Sequence, residues 1–215
     1  MAGLRSPITD QFQTAAQRRE GAYLGMWLFL STEIMMFGGL LFIIGYYRFA
    51  YEAQISQAVE HLHYGLGGVN SALLLTSSFT MSLAILAARE ARMARLKVML
   101  LVSVGLAIGF LALKGYEYHW EYTEGLLPVL TSQAPLEEPP ARLFMGLYLI
   151  STALHALHIL VASVLGLGIW LRLCLGRLPM PGRVTVIETF AFYWHTVDVI
   201  WIFLYPSLYL IGRPV

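Results

Sequence analysis

Charged residues are scarce in this chain. Only 13% of its 215 residues are Asp, Glu, Lys or Arg, against 58% that are hydrophobic. A soluble domain carries about 25% charged residues, so half that share leaves too few to coat a water-facing surface. The 14 basic and 13 acidic residues give a formal net charge of +1. That balance speaks against nucleic acid as a partner, which calls for a clustered basic face. The chain has one cysteine, Cys174, which excludes an internal disulfide framework and a multi-cysteine metal site. Alone in apolar surroundings it reads as a small apolar filler. Residues 1–21 have no apolar core and carry Arg5, Asp10, Arg18, Arg19 and Glu20. They are expected to form a cytoplasmic N-terminal segment rather than a cleaved leader. No internal repeat is evident, which argues against an inverted-repeat transporter.

What the chain does have is long apolar runs. A bilayer core takes about 20 apolar residues in helix. Five segments supply them, at roughly 22–47, 64–88, 96–118, 142–171 and 186–211. The fold class is therefore all-α, a polytopic transmembrane bundle of five helices within one domain, residues 22–212. Gly65, Gly67, Gly68, Ser71, Ser77 and Ser78 in the second segment permit close helix contact and interhelical hydrogen bonds. Gly105 and Gly109 in the third form a GxxxG pattern, a mark of tight packing or of a dimer face.

The connections set the orientation. Arg5, Arg18 and Arg19 precede the first span. Arg89, Arg92, Arg95 and Lys97 lie between the second and third, and Arg172, Arg177 and Arg183 between the fourth and fifth. The opposite side has mainly Arg48, Arg142 and Arg213. The positive-inside rule then puts the N-terminus in the cytoplasm and the C-terminus in the periplasm. The longest connection, about residues 119–141, is expected outside as an acidic loop with Glu121, Glu124, Glu137 and Glu138. Pro139 and Pro140 suit the first turn of the fourth helix. Tyr46, Tyr47, Trp120, Tyr122, Tyr205 and Tyr209 read as an aromatic belt, with His61, His63 and His119 at the same boundary. Lys114 and Glu117 are three apart, close enough to pair, with Lys114 snorkelling outward.

Five ionisable residues lie where a bilayer excludes charge. At 1.5 Å per residue Glu33 is ~16 Å into the first span, and His195 and Asp198 are ~13 and ~18 Å into the fifth. His155 and His158 lie near the middle of the fourth. Each would cost several kcal/mol facing lipid, so they are expected to face other helices or a partner and to satisfy one another. Ser151, His155, His158, Ala162 and Gly166 fall on one stripe of the fourth helix, and Trp194, Asp198, Trp201 and Tyr205 on one stripe of the fifth. Three readings stand open. The residues could ligate a metal or haem. They could carry protons or ions. They could be buried polar pairs that fix helix register, and on residues alone this packing reading stands first.

Tyr193-Trp194-His195-Thr196-Val197-Asp198-Val199-Ile200-Trp201, followed by Phe203-Leu204-Tyr205, closely resembles the last-helix signature of subunit III of haem-copper cytochrome oxidases. Ser31-Thr32-Glu33-Ile34-Met35-Met36-Phe37 resembles that family's segment with an intramembrane glutamate. Asn70-Ser71-Ala72-Leu73-Leu74-Leu75, Glu117-Tyr118 and Leu154-His155-Ala156-Leu157-His158 resemble further family segments, in the family's order. Ala156 replaces a usual glycine and Thr196 a usual phenylalanine. Many family members have seven spans, so the chain is similar to the short five-span bacterial form, also found in quinol oxidases. The resemblance implies an accessory subunit with no catalytic centre and no metal, haem or copper of its own. Haem and copper are then expected in partner subunits, the partners being the catalytic haem-copper subunit I and subunit II. It also implies residence in the bacterial cytoplasmic membrane, support of the catalytic subunit's stability and proton uptake, and bound phospholipid. By position, Glu33 matches the intramembrane carboxyl and Arg172 a lipid-headgroup arginine. The alternatives are a related membrane subunit of a nitric oxide reductase system and an independent proton-coupled transporter.

Overall fold

The computed structural model describes residues 15–60, 62–124, 139–180 and 182–210. These residues form helices joined by short connections, and no strand occurs among them. The elements are α1 (Ala15–Ala50), α2 (Glu52–Glu60), α3 (Tyr64–Arg89), α4 (Met93–Thr123), α5 (Pro139–Cys174) and α6 (Val184–Tyr205). The last runs directly into a π-helical turn, Pro206–Leu210. Five of them, α1, α3, α4, α5 and α6 with its π turn, are long and apolar enough to cross a membrane. The five-helix bundle expected from the apolar runs is the fold.

The helices overrun the apolar segments. α1 has 36 residues, a length of ~54 Å at 1.5 Å per residue, against a hydrocarbon core of about 30 Å. Apolarity measures the bilayer, whereas backbone hydrogen bonding continues into the headgroup region. Pro139 does open α5. The acidic connection shrinks accordingly, because Glu121 lies in the last turn of α4 and is buried. Glu137 and Glu138 lie outside the described residues, as do His61, Arg213 and the first 14 residues.

Two helix ends share one geometry. After α5, Arg177 N–H reaches Arg172 O at 2.9 Å and Gly176 N–H reaches Leu173 O at 3.3 Å, with Gly176 at φ +67°. This is the Schellman closure, and glycine meets its left-handed requirement. After α3 the same closure runs from Arg92 N–H to Ala87 O at 2.9 Å and from Ala91 N–H to Ala88 O at 3.2 Å. There the left-handed residue is Ala91, at φ 54°. The chain reverses into α4 within three residues, and an alanine absorbs the strain.

α3 packs against α4 and α6, and α5 packs against both of those helices. α1 lies along α5 and α6 at the edge. α2, absent from the expected elements, lays Ile55 and Val59 against α5. Two glycines allow close approach. A Cβ on Gly67 would stand 2.7 Å from the Tyr205 ring, and one on Gly166 would stand 2.7 Å from Val104 Cγ2. The GxxxG pair does not share this role. Nothing lies within 4 Å of a Cβ on Gly105, and Gly109 would meet only Leu73 Cδ1, at 3.9 Å. α1 turns Leu24, Trp27, Leu28, Met35, Phe42 and Phe49 outward, a surface suited to lipid or to another apolar chain.

Candidate functional site

The mid-membrane polar residues form two groups rather than one centre. In the first, α1 and α5 meet. Glu33 Oε2 lies 3.0 Å from His158 Nε2, with both side chains about 15% exposed. The contact is at ion-pair distance but is not an aligned hydrogen bond. His158 Nδ1 is 2.8 Å from Leu154 O, one turn back on its own helix. A carbonyl only accepts, so Nδ1 carries a proton and Nε2 is the nitrogen free to exchange one. The Phe37 ring packs edge-on to the imidazole at 5.5 Å, and Tyr193 donates to His158 O at 3.2 Å. The pair is thus fixed by three helices.

The second group lies where α6 meets α3 and α5. His195 Nδ1 is 2.6 Å from Ser78 Oγ on α3. Trp194 Nε1–H donates to Ser77 Oγ at 3.0 Å, and Trp201 Nε1–H donates to Ser71 Oγ at 3.0 Å. The small hydroxyl residues of α3 therefore receive the indoles of α6. His155 is fully buried and stacks on Trp201 at 5.0 Å between centroids. Its ring nitrogens have no hydrogen-bond partner among the described residues, and the buried Asp198 carboxyl makes no aligned hydrogen bond there, with the Ser78 hydroxyl as its polar neighbour. The expectation that all five groups satisfy one another is met by distance only for Glu33 and His158. His155 and His158 sit on the same helix, but one faces the core and the other faces α1. Among the described residues, no three His, Cys, Asp or Glu side chains are placed to hold a metal ion.

A third cluster overturns an expectation. Lys114 does not snorkel, since its side chain is 1% exposed. Its ammonium donates to Glu117 Oε2 at 2.9 Å, Tyr148 at 2.9 Å and Tyr209 at 2.6 Å. Tyr209 donates to Glu117 Oε1 at 2.7 Å and Tyr148 to Glu121 Oε1 at 2.6 Å. Tyr209 is therefore not a belt residue but a buried one, carried inward by the π turn after α6. Three ammonium donors against four carboxylate oxygens and two phenols make a nearly saturated network linking α4, α5 and the π turn. The sequence signal was Lys114 and Glu117 at i, i+3. Their tyrosine partners lie 31 or more residues away.

A family model described as Cytochrome c oxidase subunit III matches residues 8–213. The chain belongs to the cytochrome c oxidase subunit III family. It is 32% identical over 193 residues to "Cytochrome c oxidase subunit 3" of Synechocystis, spanning 87% of this chain and 74% of that one. It is 25% identical to "Cytochrome c oxidase subunit 3" of Corynebacterium diphtheriae, spanning 97% of both. It is likewise 25% identical to "Probable quinol oxidase subunit 3" of Staphylococcus epidermidis, over 88% of each.

Within this subunit III fold the remaining expected residues fall at the ends of the bundle. Arg172 is exposed in the last turn of α5. Cys174 is exposed two residues later, so the small apolar filler expected there is not packed inside the bundle. On the same end, Glu188 of α6 accepts from Tyr23 at 2.8 Å and pairs with Arg89 at 2.8 Å, so α1, α3 and α6 are tied by one carboxylate. Glu188 escaped the sequence reading because neither partner is near it in the chain.

Proposed function

We propose that this subunit III is an accessory, non-redox subunit of a haem-copper terminal oxidase in a bacterial cytoplasmic membrane. It packs against a catalytic subunit I, which carries the haem and copper, and stands beside a subunit II. It has no catalytic centre of its own and contributes stability, lipid binding and proton uptake to the catalytic subunit. The observation that carries this reading is the family match, which runs through all five spanning helices.

The Glu33–His158 contact supports the proton role. The pair has the same net charge whether a shared proton sits on the carboxyl or on Nε2, so moving it between them adds no net charge to the bilayer interior. The basic residues gathered at one end of the bundle, including Arg89, Arg92, Arg172 and Arg177, support a cytoplasmic N-terminus. Arg172, exposed in the last turn of α5, suits a phospholipid headgroup at that surface.

Purification tests the reading. An affinity tag on this chain should bring down haem-containing membrane subunits in mild detergent, with the absorption spectrum of an oxygen-reducing oxidase. A copper-binding partner domain would identify cytochrome c as the electron donor, and a partner without one would identify quinol. Recovery of a stable chain with no haem-containing partner would overturn the proposal. Glu33→Gln should slow proton uptake while leaving the haem content of the purified complex unchanged.

A further inference from the structure

α1 and α6 do not close on one another along their whole length. Between them, in the middle of the spans, runs a groove of about 590 Å³. Its walls are rich in aromatic rings, with Trp27 and Phe37 from α1 and Phe192 and Phe203 from α6. Trp27 and Phe203 are each 58% exposed, so the groove opens on the outer side of the bundle. No Asp, Glu, Lys or Arg lines it, and its polar residues are the neighbours His195 and Thr196. The Thr196 hydroxyl is already spent on Phe192 O, at 2.9 Å. Thr196 is also where the chain departs from the signature of the last helix, which usually has phenylalanine there. The groove is therefore widened, beside His195, by the loss of one aromatic ring.

His195 is half-buried and gives that gap its chemistry. Nδ1 is held by Ser78 Oγ at 2.6 Å, and the same hydroxyl neighbours the Asp198 carboxyl. Nε2 makes no hydrogen bond among the described residues and is not one of the sealed, unpartnered atoms of the core. If the serine donates to Nδ1, Nε2 carries the ring proton and donates. If the serine turns to Asp198 and accepts from Nδ1–H, Nε2 accepts. One rotating hydroxyl thus lets the imidazole meet either a carbonyl or a hydroxyl. A hydrocarbon chain in the groove would leave that nitrogen unmet, which is costly in apolar surroundings. A phospholipid headgroup fits no better, because His195 lies ~13 Å into its span at 1.5 Å per residue and no charged side chain is at hand.

We propose that the groove between α1 and α6 binds an isoprenoid quinone, oxidised or reduced, with its ring in the gap at Thr196. The ring is flat, uncharged and apolar on its faces, and takes the place of the phenyl group that this chain omits. A carbonyl of the oxidised form accepts from Nε2–H of His195, and a hydroxyl of the reduced form donates to Nε2. Aromatic walls suit such a ring by offset and edge-on packing. The isoprenoid tail follows the helices, since the α1 wall runs from Trp27 to Leu41, ~21 Å at 1.5 Å per residue. The volume is that of an ordinary small-molecule site, about 300–1,000 Å³. A respiratory membrane carries such quinones, and in that one respect the inference rests on the function proposed above.

Photolabelling of the tagged chain, purified in mild detergent with whatever partners accompany it, tests the site. The readout is binding to this chain, so it stands apart from whether haem-containing subunits co-purify. The probe is an azido-ubiquinone with a short isoprenoid tail, and the competitors are ubiquinone-2, menaquinone-2 and oleic acid. Label is expected on peptides of α1 and α6, displaced by at least one of the two quinones and not by oleic acid. Thr196→Phe restores the ring usual in the family and leaves His195 in place. It should lower the labelling about tenfold or more while the protein elutes and melts as wild type does. Thr196→Ser keeps the gap and should label like wild type. His195→Gln retains a donor and an acceptor and should keep more label than His195→Leu. Equal labelling of wild type and Thr196→Phe overturns the proposal. So does displacement by oleic acid as effective as that by the quinones, which would mark an acyl-chain groove. Label on a neighbouring subunit with none on α1 or α6 overturns it as well, since the groove is then covered by protein.

Discussion

Glu33 and His158 stand 3.0 Å apart, between the edge helix α1 and the core helix α5, and are the one acid–base pair that joins those two helices among the described residues. α1 is the least buried of the spanning helices. A polar contact at mid-depth therefore weighs more for its placement than for that of any other helix. Glu33→Gln and His158→Asn should each loosen α1, and the double variant should cost less than the sum of the two. A coupling of about 1 kcal/mol is expected for residues in contact, read from thermal unfolding of the four proteins in detergent. Additive effects would show that the contact contributes nothing to packing.

The Lys114 cluster should be less forgiving. Removing the ammonium by Lys114→Met leaves Glu117 and Glu121 buried without their cation. Breaking a buried pair by removing one partner costs about 3–5 kcal/mol, enough to lower expression and detergent resistance sharply. Adding Glu117→Gln to Lys114→Met removes one of the stranded charges and should recover part of the loss. Thermal midpoints of the single and double variants check the order. A double variant no more stable than Lys114→Met would show that the cost comes from lost packing rather than stranded charge.

These two clusters mark where the sequence could and could not be read. The spanning helices were visible because each is a long apolar run, a local property. Glu33, His155, His158, His195 and Asp198 stood out because a bilayer excludes such groups, again a one-residue argument. Their partners were not visible. Pairing Glu33 with His158 rather than with His195 depends on which helix packs beside α1, which no spacing within one helix reveals. Tyr209 looked like a belt residue because it lies at the end of the last apolar run, and Pro206, which opens the π turn, marks an interrupted helix without saying which way the chain turns. α2 was hidden for a different reason. Nine residues with acidic ends are too short and polar to register as a span.

Ala91 offers a stabilising change. At φ 54° it occupies the left-handed position of the closure after α3, where a Cβ is strained. Ala91→Gly should raise stability by up to about 1 kcal/mol, the strain relief being offset in part by the greater freedom of glycine in the unfolded chain. A rise of the thermal midpoint without change in helix content supports this. A fall would show that the left-handed conformation is not the one occupied in the membrane.

The glycines divide into two kinds, and substitution should separate them. Gly166→Ala drives a methyl into Val104 and Phe190, and Gly67→Ala drives one into Tyr205. Overpacking of this kind costs about 1–3 kcal/mol. Gly105→Ala meets open space within the chain, and alanine is the better helix former by about 1 kcal/mol. The isolated chain should therefore tolerate Gly105→Ala and be destabilised by Gly166→Ala. If Gly105→Ala instead weakens association with neighbouring subunits, the GxxxG face of α4 is a docking surface between chains.

Cys174 gives a direct measure of orientation. It is the single thiol of the chain and is exposed at the end of α5, beside Arg172 and Arg177. In the proposed orientation those cations lie at the cytoplasmic face, as the positive-inside rule expects, and the Schellman closure at Gly176 ends α5 just beyond the thiol. A membrane-impermeant maleimide should therefore label Cys174 in inside-out vesicles and not in right-side-out ones, with Cys174→Ser as the blank. A serine replaced by cysteine at position 56, in the Cys174→Ser background, should show the opposite pattern, because Ser56 lies on α2 at the other end of the bundle. Labelling of both positions from the same side would contradict the spanning topology itself. A swap of the two patterns would keep the bundle and invert it, moving Arg48 to the cytoplasmic side and Arg172 to the outer one.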